Sequence, residues 1–251
     1  MAGRRRIGGF AGPPSRSFSG IYVPGNERGH FVLVRMYSPC QVVIPSVVKR
    51  IRVNAYERSG MMILDHGQRQ PLDAILDNRE WRAHLQETLM DSFANGCIVA
   101  AKLNVPGAIK NNITLQAIFR VGLIELGRRM QDECLCAAEF HYYVNRPTGP
   151  EAFAAFEKSD WTSIKRVAIA FEDDFTLGRL FDIDVMRRHS AHQLSRTDLG
   201  MPARRCMVCE KPAKECARSQ THTARELAEA VERQYLAYCS SAGNGGHTAG
   251  I

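Results

Sequence analysis

The chain has no apolar run long enough to cross a membrane. Its most apolar stretch, residues 31–48, is broken by Arg35, Pro39 and Pro45, short of the roughly 20 residues a spanning helix needs. A secretory signal is missing too, because Arg4-Arg5-Arg6 is followed by Gly, Pro and Ser where an apolar core would stand. There is no internal repeat. Past residue 60 the chain also lacks net charge. Residues 1–60 carry ten Lys/Arg against two Glu, and the remainder carries 23 basic against 24 acidic groups, so the formal +7 belongs to the N-terminal segment. A near-neutral body gives no reason to expect a nucleic-acid surface. These absences predict a cytoplasmic protein with no membrane and no nucleic-acid partner. Its eight cysteines are then expected as thiols or metal ligands, not disulfides.

Residues 1–30 are crowded with Gly, Pro, Ser and Arg and are expected to be disordered. Residues 31–58 hold two apolar runs without polar alternation. They read either as a small extra β element or as a translated extension upstream of a natural start at Met61 or Met62. The charge change at residue 60 favours the extension, so residues 1–60 are assigned no function. One domain is expected over 70–240, with a flexible tail over 241–251.

Within that domain, Leu72, Ile75, Leu76, Trp81, Leu85, Leu89 and Phe93 keep a helical stripe that Asn95-Gly96 ends. Residues 97–103 form a mostly apolar, internal strand. The turn after it, Asn104-Val105-Pro106-Gly107, leads to Lys110, which stands just before a helix capped by Asn112. That placement suits either a phosphate contact or a plain connector. A strand over 135–144 and a turn through Asn145 to Pro150 follow, while residues 151–156 read equally as strand or helical turn. Asp160 caps a third helix. Glu172, Asp173 and Asp174 near its end oppose the macrodipole, for no reason visible in the sequence. A tight turn over 189–192, a returning strand over 193–196, and a last helix opened by the capping box Thr223-Ala224-Arg225-Glu226 complete the series. The pattern is α+β: a single mixed β-sheet with helices packed on it, plus a Cys-rich C-terminal segment and helix.

Chemistry concentrates in Gly178-Arg179-Leu180-Phe181-Asp182-Ile183-Asp184-Val185. Read as one strand, period-2 alternation sends Leu180, Asp182 and Asp184 to one face and Phe181, Ile183 and Val185 to the other. Two carboxylates about 7 Å apart along a strand repel, and a hard divalent cation such as Mg²⁺, shared with phosphates, relieves the repulsion. A solvated antiparallel face is the plainer reading. Downstream, Cys206, Cys209, Cys216 and His222 give C-x2-C-x6-C-x5-H, a donor set that tetrahedral Zn²⁺ accepts. The two longer spacings are shorter than most zinc modules use, so a set of small, partly buried thiols stays open. Arg196, Arg204, Arg205 and Arg218 surround this segment, and guanidinium groups are forked donors for phosphate oxygens.

The aspartate run, Leu194-Ser195-Arg196-Thr197-Asp198-Leu199-Gly200, and the segment with Cys206, Cys209, Ala213, Cys216-Ala217-Arg218-Ser219 and His222 together resemble one family. It is the citrate lyase holo-acyl-carrier-protein synthases, also called apo-citrate lyase phosphoribosyl-dephospho-CoA transferases. Leu103-Asn104-Val105-Pro106-Gly107-Ala108-Ile109-Lys110 and Thr148-Gly149-Pro150-Glu151 fit as well, so the resemblance runs from about residue 70 to 238. Gln220 stands where a basic residue is expected. The resemblance implies transfer of the phosphoribosyl-dephospho-CoA group from 2'-(5''-triphosphoribosyl)-3'-dephospho-CoA to a serine of the citrate lyase acyl-carrier subunit, with release of pyrophosphate. It also implies roles. Asp182 and Asp184 would hold Mg²⁺, with Asp182 doubling as base. Arg179, Arg196, Arg205 and Arg218 would hold the triphosphate, joined by Lys110. Asp182-Ile183-Asp184-Val185 is similar to the metal-holding strand of nucleotidyltransferases, whose fold it would share. Their upstream Gly-Ser turn is missing, and only Gly178 lies close. Two alternatives are a zinc-knuckle module that binds nucleic acid or protein without catalysis, and a related transferase serving malonate decarboxylase. The knuckle module predicts stacking aromatics and a basic body, whereas the body is near neutral and the cysteine segment has no aromatic residue.

Overall fold

The computed structural model describes residues 62–133, 135, 138, 140–190 and 193–244. The expectations for residues 1–60 lie outside the described residues, as do positions 191 and 192 of the expected turn. Helix α1 (Leu72–Ser92) precedes β1 (Cys97–Leu103), α2 (Ile113–Asp132), β2 (Phe140–Arg146), β3 (Gly149–Phe156), α3 (Trp161–Asp174), β4 (Phe181–Met186), α4 (Ala213–Ser219) and α5 (Ala224–Asn244). The sheet order is β2-β3-β1-β4, and every neighbouring pair is antiparallel. The expected mixed sheet is therefore corrected to a wholly antiparallel one. The reason lies in the crossovers. Helix α2 links β1 to β2 and α3 links β3 to β4, yet in each case a third strand separates the two that run parallel. This is the ferredoxin-like, split β-α-β topology.

The two crossover helices and α5 cover one face. Leu115, Ile118 and Phe119 of α2, Ile164 and Phe171 of α3, and Val231 and Tyr235 of α5 bury Val99, Ala101, Phe181, Ile183 and Val185. Phe181 stacks on Phe119 and meets Phe171 edge-on, with ring centroids 5.6 and 5.1 Å apart. Helix α1 covers only part of the other face, where Leu85, Leu89 and Phe93 pack on Ile98, Ala100, Phe153, Ala155 and Met186. Its expected continuous stripe fails at the start. Leu72 and Leu76 are 71% and 43% exposed, because the first turns of α1 stand over a cleft and not over the sheet.

Three helix starts are capped as the sequence predicts. Asn112 accepts from Leu115 N–H at 2.9 Å, Asp160 from Ser163 N–H at 2.9 Å, and Glu226 from Thr223 N–H at 2.7 Å. The strand expected over 135–144 begins only at Phe140, since Leu135 N–H still bonds Met130 O at 3.1 Å. The undecided residues 151–156 belong to β3. The returning strand over 193–196 does not form. Leu194 N–H makes one bond to Val185 O at 3.0 Å, and the chain then enters a 3-10 turn over Thr197–Leu199. Helix α4 was not anticipated, and α5 continues past Ser240 to Asn244.

The aspartate run also differs at its start. Gly178–Leu180 is a 3-10 turn, so β4 begins at Phe181, and Leu180 joins the Phe181 core instead of the aspartate face. Gly178 explains the turn's position. A Cβ there would lie 2.1 Å from Phe171 O and 3.0 Å from the Glu172 Cα, both backbone atoms of α3. The strand head thus packs directly on the end of α3. Gly178→Ala must push the two apart, and it is expected to cost about 2–3 kcal/mol, read as a lower urea midpoint.

Candidate active site

Alternation in β4 does what its sequence predicts. Phe181, Ile183 and Val185 are fully buried under α2 and α3, and Asp182 and Asp184 share the opposite face. Cross-strand register supplies their neighbours. Lys102 of β1 stands opposite Asp182 on one side and Glu151 of β3 on the other, while Ala100 stands opposite Asp184. Lys102 Nζ forms an ion pair with Asp182 Oδ2, and Arg204 Nη1 lies 4.0 Å from Asp182 Oδ1. Burial disfavours the Asp182 carboxylate. The charges of Lys102, Arg204 and Lys165 outweigh that and hold its pKa below the ordinary value. Asp184 goes the other way: burial raises its pKa, and the neighbouring Asp182 charge raises it further. The charges of Lys102, Lys165 and Arg82 act against this without overcoming it.

Beyond Lys102 the face opens into a cleft of about 460 Å³, walled by Arg79 and Arg82 of α1, Lys102, Asn104, Lys110 and Glu151. Glu151 is only 2% exposed. Asn78 Nδ2 donates to it at 2.5 Å and Arg82 Nη1 lies 3.4 Å away. Arg146 stacks on Trp81, 3.4 Å from the ring centre, and donates to Asn78 Oδ1 at 3.3 Å, which fixes the α1 wall to β2. Lys110 Nζ donates to Val105 O at 2.6 Å, and burial followed by the Lys102 charge lowers its pKa. Lys102 belongs both to the cleft wall and to the Asp182 ion pair, so cleft and carboxylates are contiguous.

β4 is an edge strand, and its outer backbone groups are met by charged side chains. Both polar groups of Ile183, the residue between the two aspartates, are taken by α3. Ile183 N–H donates to Glu172 Oε1 at 3.0 Å, and Lys165 Nζ donates to Ile183 O at 2.7 Å. Lys165 and Glu172 are 7% and 4% exposed. Burial lowers the Lys165 pKa, with the Glu172 charge acting against it. Glu172 also pairs with Arg196 at 2.7 Å, as does Asp173. The acids near the end of α3 thus have a tertiary reason: they cap the edge strand and anchor the segment after it.

Of the expected site residues, Asp182, Asp184 and Lys110 lie on this face or in its cleft. Arg196 is held by Glu172 and Asp173 behind β4. Arg179 donates to the Arg205 backbone carbonyl and stands 4.0 Å from Asp173. Arg205 pairs with Glu210 in solvent, and Arg218 is exposed on α4. Lys102, Glu151, Asn78, Arg79 and Arg82 were not anticipated. Lys102 carried a signal, being the lone charge in an apolar strand; Asn78 and Arg82 carried none, since only packing turns them toward the cleft. A second cluster brings Cys206, Cys209, Cys216 and His222 together, their ligand atoms all within 4.8 Å of one another, so the set can hold a metal ion.

A family model described as apo-citrate lyase phosphoribosyl-dephospho-CoA transferase matches residues 70–238. The chain belongs to that family. The apo-citrate lyase phosphoribosyl-dephospho-CoA transferase match spans every element from α1 into α5. A protein named CitXG from Leuconostoc mesenteroides subsp. cremoris is 39% identical over 168 residues, covering 66% of this chain and 35% of that protein. The chain therefore spans about a third of that relative's length. Two proteins named as probable apo-citrate lyase phosphoribosyl-dephospho-CoA transferases are each 30% identical. The one from Streptococcus pyogenes serotype M18 covers 66% of this chain and 86% of its own length. The one from Vibrio cholerae serotype O1 (strain M66-2) covers 64% and 89%. Among the described residues no helix is long and apolar enough to cross a membrane.

Proposed function

We propose that the protein transfers phosphoribosyl-dephospho-CoA from its triphosphate precursor, 2'-(5''-triphosphoribosyl)-3'-dephospho-CoA, to a serine of the citrate lyase acyl-carrier subunit. The serine oxygen attacks the phosphorus nearest the ribose, the bond to the outer two phosphates breaks, and pyrophosphate leaves. The observation that carries this reading is the Asp182–Asp184 face running, through Lys102, into a cleft with four cationic side chains. Phosphoryl displacement depends chiefly on positioning and charge neutralisation, and these residues supply both. Arg79, Arg82, Lys102 and Lys110 neutralise the polyphosphate. Arg179, Arg196 and Arg205 are engaged elsewhere, by the Arg205 carbonyl, by Glu172 and Asp173, and by Glu210, and are assigned no phosphate. The serine proton passes to Asp182 of the carboxylate pair.

Asp182 and Asp184 fit Mg²⁺: two oxygen donors share one face, and at Asp184 burial and the Asp182 charge outweigh the nearby cations. The cation would supply further neutralisation of the phosphates. Their strand plays the part of the metal-holding strand of nucleotidyltransferases. The Cys₃His cluster is set for Zn²⁺. A cytoplasmic location fits a reaction that consumes a CoA-derived precursor. Intact-mass measurement of the apo-carrier after incubation with the protein, precursor and Mg²⁺ tests the reading. A mass gain equal to the prosthetic group, matched by pyrophosphate release, is expected; an unchanged carrier overturns it.

A further inference from the structure

The cysteine–histidine cluster and the aspartate strand are joined by one arginine. Cys206 N–H bonds Lys211 O and Ala213 N–H bonds Arg204 O, both at 2.8 Å. Together with the bridge between Arg205 and Pro212, these bonds close a tight loop around Cys206-Met207-Val208-Cys209. Val208 N–H points at Cys206 Sγ, 3.4 Å away, the backbone-to-sulfur contact that orients a thiolate ligand. Cys216 arrives from α4 and His222 from the link to α5. Cys209 Sγ is 3.4 Å from Cys216 Sγ and 3.2 Å from His222 Nε2. In a tetrahedral zinc site, ligand atoms stand about 3.5–3.8 Å apart, so the four donors are nearly in place.

The stem of the same loop carries Arg204. Its Nη2 donates to Arg179 O at 2.6 Å and to Phe181 O at 2.7 Å, and its Nη1 lies 4.0 Å from both Asp182 Oδ1 and Glu172 Oε2. Arg179 answers by donating to Arg205 O. Arg204 therefore holds the backbone on both sides of the β4 entry and faces the first aspartate. Between β4 and the loop, the Thr197–Leu199 turn is the one regular element among the described residues. On the other side of Arg204 the four donors converge within 4.8 Å of one another.

We infer that zinc bound by Cys206, Cys209, Cys216 and His222 fixes Arg204 against the head of β4, and that Arg204 is a positioning residue for Asp182. This rests on the transferase reading for its effect on rate, but the clamp itself can be read without turnover. Purified protein should carry one zinc per chain, and cobalt in its place should give the absorption bands of a tetrahedral thiolate site. Cys209→Ser should lose both. Stripping the metal with a chelator should lower kcat about 10–100-fold with little change in KM for the precursor, and added Zn²⁺ should restore it. Arg204→Ala should keep the metal yet lose as much, Arg204→Lys should recover part, and stripping Arg204→Ala should cost nothing more. Hydrogen exchange over residues 178–186 should rise on stripping and in Arg204→Ala alike.

Protein that binds no zinc, stripped protein at full rate, or losses that multiply independently would each overturn the clamp. If stripping unfolds the chain, metal-loaded Arg204→Ala decides through its exchange pattern, and unchanged exchange at 178–186 rejects the proposal. Should the carrier never be modified, the transferase reading fails. Metal content and exchange would still judge the clamp.

Discussion

Asp184→Asn will lower carrier modification about 10²–10³-fold while the protein stays folded, and at neutral pH its Tm will rise slightly. The substitution keeps the size of the side chain and removes one charge from the carboxylate pair. Burial and the Asp182 charge raise the Asp184 pKa in the folded state, so over the window from its ordinary value up to the raised one the folded chain binds the extra proton. Stability from this group is full below the ordinary carboxylate pKa and is lost as pH rises through the raised value. Asparagine cannot ionise, so the variant escapes that loss, and its advantage shrinks as pH falls. Asp182 has the opposite sign. Its pKa is depressed by Lys102, Arg204 and Lys165 against the pull of burial, so its stabilisation is present at neutral pH and lost as pH falls through the depressed value. Asp182→Asn should lose transfer equally but melt lower at pH 7. Carrier mass spectra and thermal unfolding of the two variants separate these outcomes. Near-normal transfer by either would remove the carboxylate pair from the chemistry.

Glu172→Ala is expected to cost about 3–5 kcal/mol of stability. It leaves Ile183 N–H without its acceptor and strips Arg196 and buried Lys165 of a counter-charge at once. An orphaned buried donor and an uncompensated buried cation each carry their own penalty, and here both fall on the edge strand that holds the aspartates. Glu172→Gln should recover part, because its amide oxygen can still accept from Ile183. The urea midpoint reads the effect, and a midpoint for Glu172→Ala equal to the unsubstituted protein would show that the edge needs no such brace. Transfer should fall with it, mainly in kcat, since β4 would lose its outer support while the cleft cations stay in place.

The sequence by itself determined whatever backbone geometry carries locally. Alternation along β4 put Asp182 and Asp184 on one side and Phe181, Ile183 and Val185 on the other, because a strand repeats every two residues whatever it pairs with. Side chains that meet their own helix start, such as Asn112, Asp160 and the Thr223–Glu226 pair, were legible for the same reason. The four metal-capable donors at 206, 209, 216 and 222 were also readable, being close along the chain. Only the tertiary structure decided the rest. Strand order made the sheet antiparallel and set Lys102 between Glu151 and Asp182. Packing then brought Arg82 and Asn78 of α1 over Glu151, 69 and 73 residues away along the chain. It also gave Arg196 to Glu172 and Arg204 to the strand head. A charged side chain spends its interaction on whichever opposite charge or carbonyl folding brings within reach, and that choice is not written in its neighbours along the sequence.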